Sequence, residues 1–426
     1  MVAETCYTQA ATRREAIAMR ERWPVIPHGV KLSLGSADGI DLDRARRLGV
    51  LARELRAPMI SEHVSFTRAG TSEIGHLTQL PRTRAAVRVV AANVARVRRV
   101  LPDVPFLLEN VAWSVRWPDD ELDEPAFYHE VVAATGCDLL LDVGNLYANA
   151  VNEGLDPAAV LARYPLDRVA MLHVAGGVWE HGFYYDTHAH PVPPAVMDLV
   201  TRVVAVRDVP VLIERDADIA FSQLSGELAA LRAMPRGPVP ASSRASATTE
   251  PALPDEATRL ARSQAELARL LVEPELDRPG VMAAGVDVIE VERARDILRR
   301  KRIDDALPLL AHLGRHDRTR EVAIAALAGT RKSPRNAAPL DAWRMASAAA
   351  HQPELADAAQ LDQLLLRARF ANLEAVGRAL DGGRGGHDVR LRRAPFIGFA
   401  RLTTGKRVRA TKGIGALAAV MLGRTG

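Results

Sequence analysis

The chain has 426 residues, 48% of them apolar and only 4% aromatic, enough for a barrel-sized domain and a smaller companion. Its two cysteines, Cys6 and Cys137, make no metal or redox spacing, no apolar run reaches a membrane span, and no signal-peptide pattern opens the chain; a cytoplasmic protein without membrane contact is expected. The formal charge of +4 divides unevenly, with 24 Lys and Arg against 30 Asp and Glu in residues 1–232 and 32 against 22 beyond, which argues against a first half that grips nucleic-acid phosphates.

Met1 to Tyr7 reads as the tail of a strand, followed by a helix over residues 11–22. The run Pro24-Val-Ile-Pro-His28 then reads as a short buried strand ending on a histidine. An amphipathic helix over 41–56, with Leu42, Ala45, Leu48 and Leu51 on one face, leads to a strand ending at Glu62-His63. A loop through Gly75 and an Arg-rich helix over 83–100 precede the strand ending at Glu109-Asn110. The helix 125–135 leads to Asp138-Leu-Leu-Leu-Asp142, which breaks at Gly144 and presents Asn145. The helix 157–163, a strand ending at His173 and a long loop carrying Asp186-Thr-His188 follow. A helix over 194–206 then leads to the strand ending at Glu214.

Strand and helix alternate throughout this half, so the fold class is α/β. Ligand-type residues finish six different strands, which favours a TIM-type (β/α)8 barrel over an open sheet, because a barrel assembles its site from strand ends all around the ring. Residues 233–254 are rich in Pro, Ser, Ala and Thr without periodicity and read as a linker between a metal-binding barrel (1–232) and an all-α domain (255–426). The last segment, from Arg390, carries nine Lys or Arg and no acid.

Imidazole and carboxylate groups converging on a barrel mouth suit hard or borderline cations, and several can hold two or three ions. The candidates are His28, His63, Glu109, Asp142, His173, Asp186, His188 and Glu214. Taken singly, each has a plainer reading as a turn, a cap or a structural histidine. Taken together at one end of a barrel, eight such groups would repel or need costly desolvation unless cations held them. Asn145 and Asp216, each just past a proposed ligand, are candidates for orienting a metal-bound group, and Glu62 is expected in a salt bridge. No Gly-rich phosphate loop, nucleophile elbow or dinucleotide fingerprint is present.

From about Val2 to Leu231 the chain resembles the multinuclear non-haem iron-dependent oxidases, a peptide-modifying TIM-barrel family formerly of unknown function. The resemblance is carried by His28-Gly-Val with Leu32-Ser-Leu-Gly-Ser36, Ser61-Glu-His63, Leu108-Glu-Asn110 and Thr135-Gly-Cys-Asp-Leu-Leu-Leu-Asp142-Val. It continues in Val151-Asn-Glu-Gly-Leu-Asp156, Leu172-His173-Val-Ala-Gly176, Asp186-Thr-His188-Ala-His190-Pro-Val192 and Leu212-Ile-Glu214. It implies two or three irons of mixed valence with dioxygen as co-substrate, acting on a ribosomally made precursor peptide, often at cysteine, in natural product biosynthesis. It also implies a leader-binding partner protein or a fused equivalent, and the segment from Leu260-Ala-Arg-Ser-Gln264 resembles the N-terminal part of such partners. The chain departs from the pattern in lacking the family's first strand, in Gly144, in Gly177 where a histidine is usual, and in Ala189 where an aspartate is usual.

Two other functions compete on residues alone. One is a metal-dependent sugar isomerase or phosphoesterase on a barrel like xylose isomerase or endonuclease IV; the other is a degenerate barrel serving as a non-catalytic adaptor.

Overall fold

A computed structural model describes residues 2–3, 10–70, 72–215, 220–239, 253–273, 279, 285–328, 330, 337–370 and 373, and three strands between 397 and 422. The chain divides into two compact units, residues 1–268 with 282–287, and residues 269–281 with 288–426.

In chain order the first unit contains β1 (Val2–Ala3), β2 (Pro27–Gly29), β3 (Ile60–His63), β4 (Ser65–Ala69), β5 (Ser72–Gln79), β6 (Phe106–Glu109), β7 (Asp138–Asp142), β8 (Val169–Val174), β9 (Gly176–Glu180), β10 (Phe183–His190) and β11 (Val211–Ile213). Seven of these form one sheet in the order β1-β2-β3-β6-β7-β8-β11, every neighbouring pair parallel. Strands that neighbour one another in order of sequence, without a reversal, are the arrangement of a TIM-type barrel; among the described residues β11 and β1 are not paired, so the sheet is a curled part-barrel.

The helices between the strands begin where the sequence supplies caps. Asp41, Thr83 and Asp123 each accept a hydrogen bond from the first turns of the helices Leu42–Leu55, Arg84–Arg98 and Glu124–Thr135. The first of these buries Ala45, Leu48, Leu51, Ala52 and Leu55, the apolar stripe its sequence spells out.

Three elements differ from the sequence expectation. The segment after His63 and the one after Val174 are not loops but antiparallel hairpins, β4–β5 and β9–β10. The chain after Asp142 turns at once into the helix Val143–Asn152, so Gly144 sits in its first turn instead of breaking the chain.

In the second unit the helices Val288–Ala306, Thr319–Leu327, Ala337–Ala349 and Ala356–Arg369 surround a core that includes Ile303, Leu313, Leu327, Leu340, Met345 and Leu366. Arg302 grips Asp341 through two bonds of 2.8 and 2.7 Å, and Arg344 adds a third at 2.9 Å, so the buried carboxylate is matched by buried cations. The C-terminal unit is helical as expected, with one addition. Its last segment forms three antiparallel strands, Ile397–Arg401, Arg407–Lys412 and Leu417–Leu422. Arg407-Val-Arg-Ala-Thr has the period-two alternation of a strand, which its charge density obscures.

Candidate metal centre

The sheet interior is built in layers. Leu107, Leu140 and Met171 form a buried cluster with Ile26, Met59 and Leu212 packed against it. Side chains on a strand return to the same face every second residue. Two residues beyond this apolar layer stand His28, Glu109, Asp142, His173 and Glu214, and on β3 Ser61 and then His63 follow Met59. One face of the curled sheet is thus apolar below and ligand-bearing above. Glu214 lies one residue past β11, yet its N–H still donates to the Val174 carbonyl at 2.9 Å, which extends the ladder to that level.

The ligand atoms fall into two groups within which all lie no more than 4.8 Å apart: His28, His63 and Glu109, and Glu109, Asp142, His173 and Glu214. Glu109 belongs to both. Its Oε2 lies 3.4 Å from His28 Nε2 and 3.3 Å from His63 Nε2, while its Oε1 accepts a 2.8 Å bond from His173 Nδ1. Glu214 Oε2 lies 3.2 Å from the same His173 nitrogen and 3.6 Å from His188 Nδ1.

Asp186 and His188 come from β10, where the hairpin register jumps. Tyr185 pairs with Val178 but His190 with Gly176, so four residues bulge opposite Gly177. In the bulge His188 takes a left-handed φ of 54° and its Nε2 sits 2.6 Å from Asp186 Oδ2. The two residues contact each other and the rim of the second group without joining either group of three or more.

The supporting bonds are as specific. Asp142 caps the helix Val143–Asn152, its Oδ1 accepting from the Asn145 N–H at 2.8 Å. Asn110 clamps the same residue, its Nδ2 donating to the Asp142 carbonyl at 2.9 Å and its Oδ1 accepting the Asp142 N–H at 2.8 Å. The Asn145 side chain donates to the Asn110 carbonyl at 3.0 Å, so it braces the strand that carries Glu109. Glu62 Oε1 lies 3.5 Å from His63 Nδ1, an ion pair when that imidazole is protonated, and its oxygens accept the His63 and Leu32 N–H groups at 2.8 and 3.0 Å. Asp216 lies outside the described residues.

Burial and mutual charge set the protonation of the ion-free cluster. Burial, with His63 and His173 nearby, holds His28 well below the ordinary histidine value, leaving it a neutral ligand. Burial, the largest influence, opposes charge on His63 and His173, but Glu109 with Glu62 and Glu214 together lift His63, and Glu109 with Glu214 carry His173 to about 10. Burial, then Asp186 and Glu109, push Asp142 up to about 7. Burial works against the Glu214 carboxylate, yet the bond from His173 and the charge of His188 bring it down to about 2. Burial opposes charge on His188 too, and Asp186 raises it well above the ordinary value.

Three buried carboxylate oxygens in this region, Glu109 Oε2, Asp142 Oδ2 and Asp186 Oδ1, meet no hydrogen-bond donor. An unmatched buried anion oxygen is costly, and here three collect beside converging imidazoles. Such a donor set could hold metal ions and fits the group expected from sequence.

The profile of the family described as RiPP precursor modification enzyme MbnB/TglH/ChrH matches residues 1–236. The chain belongs to the MbnB/TglH/ChrH family. RiPP precursors are ribosomally made peptides, so the family is one of peptide-modification enzymes. Among relatives within this family, a UPF0276 protein of Streptomyces avermitilis is 42% identical over 217 residues, 49% of this chain and 44% of that protein. A UPF0276 protein of Caulobacter vibrioides is 42% identical over 219 residues, 51% of this chain and 78% of that one. The chain therefore spans less than half the length of the Streptomyces relative. Solved structures similar to it include endonuclease IV from Thermus thermophilus, at 20% identity and TM-score 0.34, covering 53% of this chain and 81% of that one. A xylose isomerase domain protein from Planctomyces limnophilus has 15% identity and TM-score 0.34, covering 52% and 83%.

Proposed function

We propose that this MbnB/TglH/ChrH-family chain is a multinuclear iron- and oxygen-dependent oxidase that modifies its ribosomally made peptide at cysteine. The observation that carries the reading is the pair of ligand groups joined by Glu109, with buried carboxylate oxygens that no donor reaches. A nitrogen and oxygen donor set without sulfur suits iron or manganese and argues against a structural zinc.

His28, His63 and Glu109 would hold one ion, and Asp142, His173 and Glu214, with Glu109 within reach, its neighbour. Asp186 and His188 are the residues left for a third. When bound, the ions would supply a Lewis-acid site for a substrate thiol and the electrons exchanged with dioxygen. Asn145 acts through Asn110 and the Asp142 cap, and Asp216 follows Glu214 closely enough in sequence to orient a bound group. Apart from Glu214, the residues of both groups are buried, which keeps bulk water from the cluster. The helical second unit, with its basic terminal segment, is proposed as the fused leader-binding part, and the setting as the cytoplasm. No described helix is long and apolar enough to cross a membrane.

The test is anaerobic mixing of iron-loaded full-length protein with a cysteine-bearing candidate precursor, then oxygen, then mass spectrometry of the peptide. A mass change at cysteine that needs both iron and oxygen is expected. Turnover of a sugar or phosphodiester with manganese or zinc under anaerobic conditions would move the reading to an isomerase or phosphoesterase. Peptide binding without turnover of any of these would leave the adaptor.

A further inference from the structure

The inner layer below the ligands is apolar except at one position. Ser61 is fully buried, on the same face of β3 as Met59 and His63, and its register partners are His28 on β2 and Leu107 on β6. A hydroxyl in an apolar layer needs a partner, and the partner it has is His28 Nδ1 at 2.8 Å. The neighbouring histidine is held in the reciprocal direction. His63 Nδ1 lies 3.0 Å from the carbonyl of Gly29, the residue after His28. A carbonyl can only accept, so this nitrogen carries a proton, and in the neutral ring that binds a cation His63 Nε2 is left bare.

The arrangement leaves no room for a side chain at residue 29. A Cβ there would lie 2.5 Å from Glu62 Oε2 and 3.1 Å from Glu62 Cδ. Glu62 cannot move aside freely, because both its oxygens hold backbone N–H groups, one of them that of His63. Each strand therefore orients the other's ring, β3 through a hydroxyl and β2 through a carbonyl. Both Nε2 atoms are thereby left facing the same oxygen, Glu109 Oε2.

We propose that Ser61 is a positioning residue that holds His28 as the Nδ1–H tautomer, and that Ser61 and the Gly29 carbonyl together present two bare Nε2 lone pairs to a single cation. This rests on the metal-centre reading above. A ligating Nε2 leaves the ring proton on Nδ1, so Ser61 accepts it. Groups that orient a ligating histidine in this way are generally worth 10–100-fold in metal affinity.

The test is Ser61→Ala in the full-length chain, loaded anaerobically with ferrous ion or cobalt(II) in competition with a chelator. One ion is expected to bind roughly 10–100-fold more weakly while the other is little changed. The melting temperature of the ion-free protein falls only modestly, because the buried His28 Nδ1 loses one partner while packing is kept. In the cobalt-loaded wild type the His28 Nδ1–H should give a hyperfine-shifted exchangeable proton signal, which Ser61→Ala loses to faster solvent exchange. Wild-type affinity and a retained signal in Ser61→Ala would overturn the inference while leaving the metal centre standing. Parallel losses of ion-free stability and of affinity for both ions would make Ser61 a packing residue and overturn it as well. If the wild type takes up no transition metal, the reading of the site fails first and the inference falls with it.

Discussion

Glu109 is where the site is most sensitive to a single atom. Replacing it with glutamine removes the one anionic oxygen that both His28 and His63 approach and that no donor satisfies. Glu109→Gln should lower metal content from about two ions per chain to at most one, as read by metal analysis after anaerobic reconstitution. Asp186→Ala should lower it least among the ligands, since Asp186 contacts His188 and belongs to neither group of three or more. A second buried carboxylate, Glu124, has a different effect. It accepts bonds from Tyr164 and from Asn149, and burial carries it up to about 7. A carboxyl whose folded value lies above its unfolded one favours the folded state at low pH, and that contribution fades as pH rises from about 4.5 to 7. The wild type should therefore lose on the order of 3 kcal/mol across that interval from this group. Glu124→Gln should flatten the slope, measured by urea unfolding at several pH values. Six of the eight ligand candidates are legible in sequence because each ends a short buried strand, whereas Asp186 and His188 stand out only as a paired Asp and His in a loop. Ser61 and Asn110 are not legible in their roles, since what they hold is a ring nitrogen or a peptide group on another strand, and only register brings those together.

At the scale of elements, the helix Val143–Asn152 decides how Asp142 is held. Its start is hidden in sequence because a glycine second in the helix reads as a break, whereas here Asp142 supplies the cap and Asn110 ties down its peptide. Asn110→Ala would strand the Asp142 N–H in a buried setting, which should cost roughly 1–3 kcal/mol. Chemical denaturation of ion-free protein checks the figure, and metal affinity at Asp142 should fall with it. The two hairpins are missed for a related reason. Neither β4–β5 nor β9–β10 alternates cleanly, and both contain a register shift that breaks the period-two signal. The parallel strands are legible because both of their faces are covered, which leaves continuous apolar runs.

For the whole molecule, the first unit extends well past the part that the family profile matches. Residues 237–268 belong to it, and Gln264, fully buried, donates to the Gly35 carbonyl at 2.7 Å and accepts the Ala37 N–H at 2.9 Å. Arg88 adds an ion pair to Glu256 at 2.6 Å. The helix that composition assigns to a separate all-α domain thus ties down the loop after Leu34, in the segment following His28. Gln264→Ala should cost roughly 1–3 kcal/mol of stability, visible as a lower denaturation midpoint. Composition marks the change of register between the halves, but a single glutamine reaching back over more than two hundred residues leaves no trace in it. If the second unit binds an acidic leader through its basic terminal segment, peptide affinity of the full-length chain should fall as salt rises. An affinity indifferent to ionic strength would remove that role.

Gly177 lies opposite the bulge that carries Asp186 and His188. A Cβ there would stand 2.2 Å from the Tyr185 carbonyl oxygen and 2.8 Å from the Tyr184 ring, whose hydroxyl accepts the Gly177 N–H at 2.9 Å. Replacing Tyr184 would clear the ring but leave the backbone oxygen in place. A histidine at 177 therefore needs the Tyr185 backbone to shift, against its pairing with Val178. A designer who wants a further imidazole at the rim must rebuild the hairpin before choosing the residue.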